Sequence, residues 1–311
     1  MSTSGSTNFA LNKDTLLTDS LIDVGAISPE DPPSDAIMSH AARLLNMMLK
    51  AWSADSGLHL WKIKPFTILT ENGKSVYNLS LTGDQISFSM NDTTMRVAAI
   101  ATDTILEVVT TSGMTAGDYI CVEQDDNTLH KTTIQSVTDS DTVVLTSGLV
   151  SASAIGKRVY WYTSKVPRPL LVTDINLVDS SGNSRPISLI SRQEYYQLGN
   201  RTSSGEIVQV YFDPQLTNSK LYVYNVPNTV SKTIELTGYF PIEDMDSASD
   251  DFDIPQEWYL AVKANLAVLL APSYGTRSEQ FKHLMTIAGP EKDRVMGWDK
   301  EMTSIYIKAG N

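Results

Sequence analysis

One cysteine in 311 residues, Cys121, leaves the chain without any intramolecular disulfide. With no catalytic partner near it in sequence, the lone thiol reads as a small buried apolar side chain rather than a nucleophile. Folding without disulfides suits an intracellular compartment. No run reaches 18 apolar residues, so no membrane span is predicted. The opening MSTSGSTNFALNKD has neither a basic stretch nor an apolar run, and no signal peptide is predicted there. Positive charge is also scarce: Lys plus Arg number 24 against 36 Asp plus Glu, for a net charge of −12. Without a basic run, tight binding to nucleic-acid phosphates is not expected. An acidic surface remains compatible with nucleic acid that slides past it.

Catalytic fingerprints are missing too. There is no nucleophile elbow, HExxH, Walker loop, GxGxxG or paired-cysteine motif. The histidines His40, His59, His130 and His283 are scattered, and His40 reads as packed or hydrogen-bonded, since no carboxylate is set beside it. No catalytic, cofactor-binding or metal-ligating residue is assigned, and the chain is read as a non-enzyme. The acidic run Glu243, Asp244, Asp246, Asp250, Asp251, Asp253 lacks the alternate spacing and central glycine of a calcium loop, so it reads as solvated. Paired carboxylates of a glycoside hydrolase meet in space, not in sequence, so a peptidoglycan hydrolase stays open as an alternative.

What the chain does have is a 41% hydrophobic content, enough for a core, and one conspicuous apolar stretch, Ile254 to Gly275. Pro255 suits the first helical position, and Pro272 and Gly275 are the expected stops. From Trp258 to Leu270 the stretch is apolar almost all round, interrupted by Lys263 and Asn265, which predicts a helix buried on nearly every side. At 1.5 Å per residue a helix from Pro255 to Ala271 would be about 25 Å long. Something must cover it.

The N-terminal third supplies candidates. Residues 1–13 are Ser/Thr/Asn-rich and are expected to form a flexible arm. Asp14–Val24 reads as a short helix stopped by Gly25. After SPEDPPSD, with Ser34 or Asp35 as cap, Ile37, Ala41, Leu44, Leu45, Met48, Leu49 and Trp52 form one broad apolar stripe ending at Gly57. Leu58–Ile68 should be extended.

Residues 75–164 are rich in Thr, Val, Ser and Ile. They predict short strands at Ile86–Met90, Met95–Ala101, Ile105–Thr110, Asp118–Gln124, Leu129–Thr138, Thr142–Leu145 and Arg158–Tyr162, hence a small sandwich or barrel. Then come strands at Leu170–Val178 and Ile187–Ile190, a short helix Arg192–Leu198 capped by Ser191 and stopped by Gly199, and strands at Ile207–Phe212, Lys220–Tyr224 and Thr233–Phe240. Tyr195, Tyr196, Tyr211, Tyr222, Tyr224 and Tyr239 lie on or beside these strands, as packing residues or as a stacking platform for sugars or a partner. Two further helices follow the apolar one, Ser278–Ala288 and Pro290 to about Ile307. On the last, Val295, Trp298, Met302, Ile305 and Tyr306 form an apolar stripe that either packs on the apolar helix or docks on a partner.

Four stretches, taken in order, resemble the head-to-tail adaptor, or tail accessory factor, family of short-tailed bacteriophages. The first is DSLIDVGAISPEDPPSDAIMSHAARLLNMMLKAWSADSG, with Leu45-Asn46-Met47-Met48-Leu49 and Trp52-Ser53-Ala54-Asp55-Ser56-Gly57, where Ser56 is extra. The others are PISLISRQEYYQLGNRTSSG, VQVYFDPQLTNSKLYVYNVP and DFDIPQEWYLAVKANLAVLLAPSYG. Together these flanking pieces span roughly two thirds of the chain. The resemblance implies a structural virion protein at the portal vertex, between head and tail, made in the host cytoplasm. It implies a ring of twelve copies that binds the portal protein, extends the channel and presents a surface to tail hub, nozzle or fibre proteins. Double-stranded DNA would pass through without sequence-specific binding, with no membrane involved. It also implies that Pro290–Asn311 docks on the portal, which makes the stripe from Val295 to Tyr306 the candidate contact; that segment is short here. Twelve chains of −12 would carry about −144, a ring that repels phosphates. A closed ring needs two different adhesive faces on each subunit.

The expected fold is α+β: a helical bundle from the N- and C-terminal segments with a small antiparallel sheet (14–83 and 165–311), plus an inserted all-β barrel or sandwich (84–164). The alternative function is a carbohydrate-binding or tail-fibre module built on the tyrosine-rich strands.

Overall fold

The side-chain oxygen of Asn12 accepts the amide of Thr15 at 2.9 Å and opens the first helix by satisfying an N–H that the helix start leaves bare. The computed structural model describes residues 9, 11–54, 60–246 and 253–299. Helices α1 (Lys13–Asp23) and α2 (Asp35–Ser53) come first, then a 3₁₀ turn at Leu60–Lys62. Strands β1 (Ile63–Leu69), β2 (Val76–Leu79), β3 (Ile86–Ser87), β4 (Asn91–Thr94) and β5 (Ile105–Glu107) follow. Next are β6 (Tyr119–Glu123), β7 (Leu129–Val137), β8 (Thr142–Leu145), β9 (Arg158–Tyr162), β10 (Leu171–Val178), β11 (Ser184–Pro186) and β12 (Ser188–Leu189). Helix α3 (Arg192–Gln197), strands β13 (Gln209–Asp213), β14 (Ser219–Tyr224) and β15 (Thr233–Tyr239), and helices α4 (Tyr259–Tyr274) and α5 (Ser278–Trp298) complete the order. The fold is mixed α+β and mostly β, with three sheets and a C-terminal helical pair among the described residues.

The chain divides into two compact units, one comprising the residues up to Ile63 with those from Pro241 onward, the other Lys64–Phe240. In the first, Ala261, Val262, Leu266, Ala267 and Leu270 of α4 are fully buried. They share one cluster with Leu16, Leu17 and Leu21 of α1, Leu45 and Leu49 of α2, and Leu284 and Val295 of α5. The alanines of α4 remove side-chain bulk, so neighbouring helices can approach closely. Polar groups secure the contacts. Lys263 pairs with Asp23 at 2.9 Å, and the Asn265 amide donates to the Ala288 carbonyl at 2.9 Å. Asn46 brackets the Met245 backbone, accepting its N–H at 3.1 Å and donating to its carbonyl at 3.3 Å. The Trp258 ring sits 5.9 Å from Trp52 and 5.0 Å from Trp61, centroid to centroid. Lys62, buried, forms an ion pair with Asp253.

Several sequence expectations are corrected here. Helix α4 is not covered all round: Leu260 and Leu269 stay 47% and 45% exposed. Pro255 precedes a 3₁₀ turn (Gln256–Trp258) rather than starting the α-helix. Pro272 lies inside the last turn of α4, and Gly275, at φ +64°, ends it. A proline there forfeits one backbone bond but keeps a helical φ. Pro290 lies mid-helix yet does not divide the C-terminal helix, and Ser278–Trp298 is continuous; such a proline gives up the bond to the carbonyl four residues back and crowds it. Ser34 holds the N-cap position of α2 without a side-chain bond, and Gly57 lies outside the described residues. Of the expected arm, Phe9 donates its amide to Gln256 at 2.8 Å, and residues 1–8 and 10 are not described.

In the second unit, a five-stranded sheet (β11-β10-β15-β1-β3) and a four-stranded sheet (β12-β13-β14-β2) share one core containing Phe66, Tyr77, Leu79, Val210, Leu221 and Ile234. All pairings whose direction is defined are antiparallel except β12 with β13. The third sheet runs β4-β9-β6-β7-β8-β5. Its edges meet: Met95 bridges Val108, and the Val109 N–H donates to the Thr94 carbonyl at 2.9 Å. Its own core holds Leu106, Val108, Ile120, Val122, Val143 and Val159.

The expected boundary between an inserted segment 84–164 and a core that includes 165–240 is not where the fold divides. Strands β10 to β15 belong with β1–β9 in the second unit, not with the helices. Cross-links explain why. The Glu71 carboxylate pairs with Lys131 of β7, Asn127 donates to the Asn228 carbonyl at 2.6 Å, and Arg158 bonds both Asp92 and the Ser180 carbonyl. The expected strand Met95–Ala101 contributes only isolated bridges, because the Asp103 carboxylate accepts the Ile100 amide at 2.8 Å and folds the run into a turn. Strands β2 and β4 had no sequence signal strong enough to find them.

Three substitutions test this packing. Leu266→Ala should cost about 2–5 kcal/mol, the usual range for a fully buried leucine, while Leu269→Ala should cost about 0.5 kcal/mol or less. Gly238→Ala would place a Cβ 2.8 Å from the Phe66 ring and should cost about 1–3 kcal/mol by overpacking. Guanidinium denaturation curves measure all three.

Candidate functional site

Of the C-terminal stripe, the structure describes only Val295 and Trp298. Val295 is 1% exposed and packed into the helical core, so its side chain is committed within the chain. Trp298, at the end of α5, is 65% exposed. Met302, Ile305 and Tyr306 lie outside the described residues. The helical unit also exposes Phe9, Met47, Leu260, Leu269 and Met285. Two open grooves accompany them. One, of about 440 Å³, passes Trp52, Val268 and Leu269, with the Lys292 ammonium 5.2 Å above the Trp52 ring. The other, of about 470 Å³, is bordered by Pro272, Phe281 and Met285.

The tyrosines gather where β13, β14 and α3 meet. Tyr211 and Tyr222 are register partners, and their rings stack with centroids 5.4 Å apart and planes 21° from parallel. Tyr195, brought down by α3, tilts against both at 5.8 and 5.4 Å. Helix α3 is held by a capping box: Ser191 Oγ accepts the Glu194 amide, and the Glu194 carboxylate accepts the Ser191 amide at 2.7 Å. That bond holds the Glu194 carboxyl below the usual range. Tyr195 and Tyr211 are buried, and Tyr196 is 51% exposed. Arg192 and Arg201 both stand over the Tyr196 ring, with guanidinium carbons 5.8 and 4.9 Å from its centroid. The reading of the tyrosines passed over these arginines. The four-residue spacing of Arg192 and Tyr196 on one helix was the available signal.

A polar cleft of about 370 Å³ in the second unit is lined by Asp92, Arg158, Asp179 and Glu235. Arg158 is committed to Asp92. Asp179 accepts the amides of Ser181 and Asn183 at 2.8 and 3.0 Å and the Asn183 side chain at 3.0 Å, bonds that hold its carboxyl below the usual range. Asp179 therefore caps a turn and is not a proton donor. Among the described residues no group of three or more His, Cys, Asp or Glu could hold a metal ion, and no helix is long and apolar enough to cross a membrane. Of the acidic run, Asp244 pairs with Lys50 at 2.9 Å and Asp253 with Lys62, while Asp250 and Asp251 are not described. His40 Nε2 lies 3.3 Å from Ser273 Oγ, His130 Nε2 is 3.2 Å from the Ser147 carbonyl, and His59 is not described.

Cys121 sits on β6, fully buried beside Leu69 and Tyr160. Burial pushes its thiol from 9.0 up to about 12, and the Tyr160 phenol from 10.0 up to about 12. Burial likewise raises Tyr77 and Tyr162. These acids are neutral when folded and ionise more readily when unfolded. Their contribution to stability is therefore complete below pH 9 and is lost as pH rises from 9 toward 12. The melting temperature should fall across that window. At pH 8, a thiol reagent should leave the native chain unlabelled and modify one cysteine per chain after unfolding, which mass spectrometry reads directly.

No protein-family model matches this chain, and no curated protein matches it. Among solved structures, VP17, a capsid protein of bacteriophage P23-77, aligns at 8% identity with a TM-score of 0.14, over 58% of this chain and 83% of VP17.

Proposed function

We propose that this chain is a head-to-tail adaptor subunit of a short-tailed bacteriophage, a structural virion protein with no catalytic role. In this reading copies form a twelvefold ring that binds the portal protein, continues the DNA channel and offers a seat to tail hub, nozzle or fibre proteins. The helices of both chain ends form the bundle at its heart, and the curled sheet of β4–β9 is a β module carried in the second unit.

One observation carries the reading. Two of the four stretches that resemble the adaptor family supply side chains to the same core: Leu45, Met48, Leu49 and Trp52 from the first, Trp258, Val262, Leu266 and Leu270 from the last. The resemblance therefore falls on residues with a joint structural task, not on scattered surface positions. Two further features support it. The helical unit exposes large apolar side chains, Trp298 and Met285 among them, and aromatic residues and Met are enriched at protein interfaces. The net charge of −12 suits a conduit that DNA must cross without adhering. The portal contact, which the resemblance assigns to Pro290–Asn311, passes in this reading to Trp298 and the chain beyond it.

Electron microscopy of the purified protein mixed with its portal ring decides the matter. Added density of twelvefold symmetry on the portal is the expected result. A chain that stays separate from the portal at micromolar concentration ends the adaptor reading.

A further inference from the structure

We propose that Arg192, Arg201 and Tyr196 form an adhesive face that binds the carboxylate-rich surface of a second copy of this chain. The inference rests on the adaptor reading, since it names one of the two unlike faces that a closed ring of subunits requires.

The geometry begins with what is already occupied. Tyr195, Tyr211 and Tyr222 spend their ring faces on one another. Tyr196 turns its ring edge-on to Tyr195, 5.6 Å away and at 89°, and both guanidiniums lie over it. Arg201 also stands 5.9 Å from the Tyr195 centroid. The cluster thus presents guanidinium groups to a ligand, not a bare aromatic face on which a sugar ring could stack.

The arginines themselves are exposed and uncommitted. Among the described residues neither forms a hydrogen bond or an ion pair, in a chain holding 36 carboxylates. The local acids are engaged elsewhere: Glu194 in the capping box, and Asp213 with the Gln215 amide at 2.8 Å. A guanidinium held over an aromatic ring loses little further freedom on binding, and its N–H fork fits a carboxylate with two parallel bonds. Tyrosine and arginine are also the residue types that dominate binding energy at protein interfaces.

Charge complementarity selects the occupant. The helical unit's sequence carries 19 acidic and 11 basic residues, a balance of −8. Any second copy therefore brings an acidic surface that two unpaired guanidiniums attract. The contact is heterologous, arginine patch to acidic surface, and can propagate around a ring.

Sedimentation velocity on the full chain, over a range of concentrations at 50 mM and 500 mM salt, tests the inference alongside the portal-binding experiment. Wild type should self-associate, in solution or on the portal, and more weakly at high salt. R192A/R201A should weaken that association about tenfold or more, with the melting temperature unchanged, and Y196A should weaken it as well. The inference is overturned if the arginine variant assembles like wild type, or if wild type stays monomeric both alone and with the portal. It is also overturned if a glycan array shows saturable binding that the arginine variant loses. Portal rings decorated equally by both proteins would leave the adaptor reading standing and remove this one. Arginine-dependent self-association without portal binding would do the reverse.

Discussion

The helical core depends on a return trip through the second unit. Its two halves are separated in sequence by the 177 residues Lys64–Phe240. Closing so long a flexible loop would cost about 4–5 kcal/mol in chain entropy before any contact formed. The second unit removes that cost by the way it pairs its own ends. Strand β1, on which the chain enters, is the hydrogen-bonded neighbour of β15, on which it leaves. Gly238 on β15 leaves room for the Phe66 ring of β1, which an added Cβ would approach to 2.8 Å. Entry to and exit from the second unit are thereby held side by side.

Given that, the apolar helix α4 has its partners at hand. The fully buried residues of α4 are mostly alanine, valine and leucine, and the polar side chains within it are placed to join helices. Lys263 reaches Asp23 of α1, and Asn265 reaches the Ala288 carbonyl of α5. Burying a polar group is tolerable when it finds a bond, and these two find theirs on neighbouring helices. Their cost becomes a registration device between segments that share no local sequence.

The two units present different kinds of surface. The helical one leaves Leu260, Leu269, Met285 and Trp298 exposed to water. The β unit offers the Arg192–Tyr196–Arg201 cluster and a cleft whose Asp92 and Asp179 are already tied up in bonds. Its thiol and several phenols are sealed in the core and held neutral. In the adaptor reading such a molecule acts by contact: its surfaces carry the adhesion and its interior carries the shape.

Much of the local structure was legible in the sequence because its causes are local. The β-rich runs Thr142–Leu145 and Arg158–Tyr162 became strands with the expected ends, and Ser191 caps its short helix as its side chain suggests. Less was legible where a residue tolerates two roles. Pro272 was expected to stop one helix and Pro290 to start another, yet both lie inside continuous helices. Val295 and Trp298 share an apolar stripe in sequence, and periodicity alone cannot tell that one faces the core and the other water.

By itself the sequence determined the acidic balance, the absence of disulfides, the apolar helix and most strands, because composition and short-range pattern fix these. Tertiary structure alone decided that residues 165–240 belong with the β unit and that Arg192 and Arg201 converge on one tyrosine ring. Both outcomes turn on which strands pair and which loops are brought together. Hydrogen bonds between strands far apart in sequence choose that partnership, and no window of neighbouring residues encodes it.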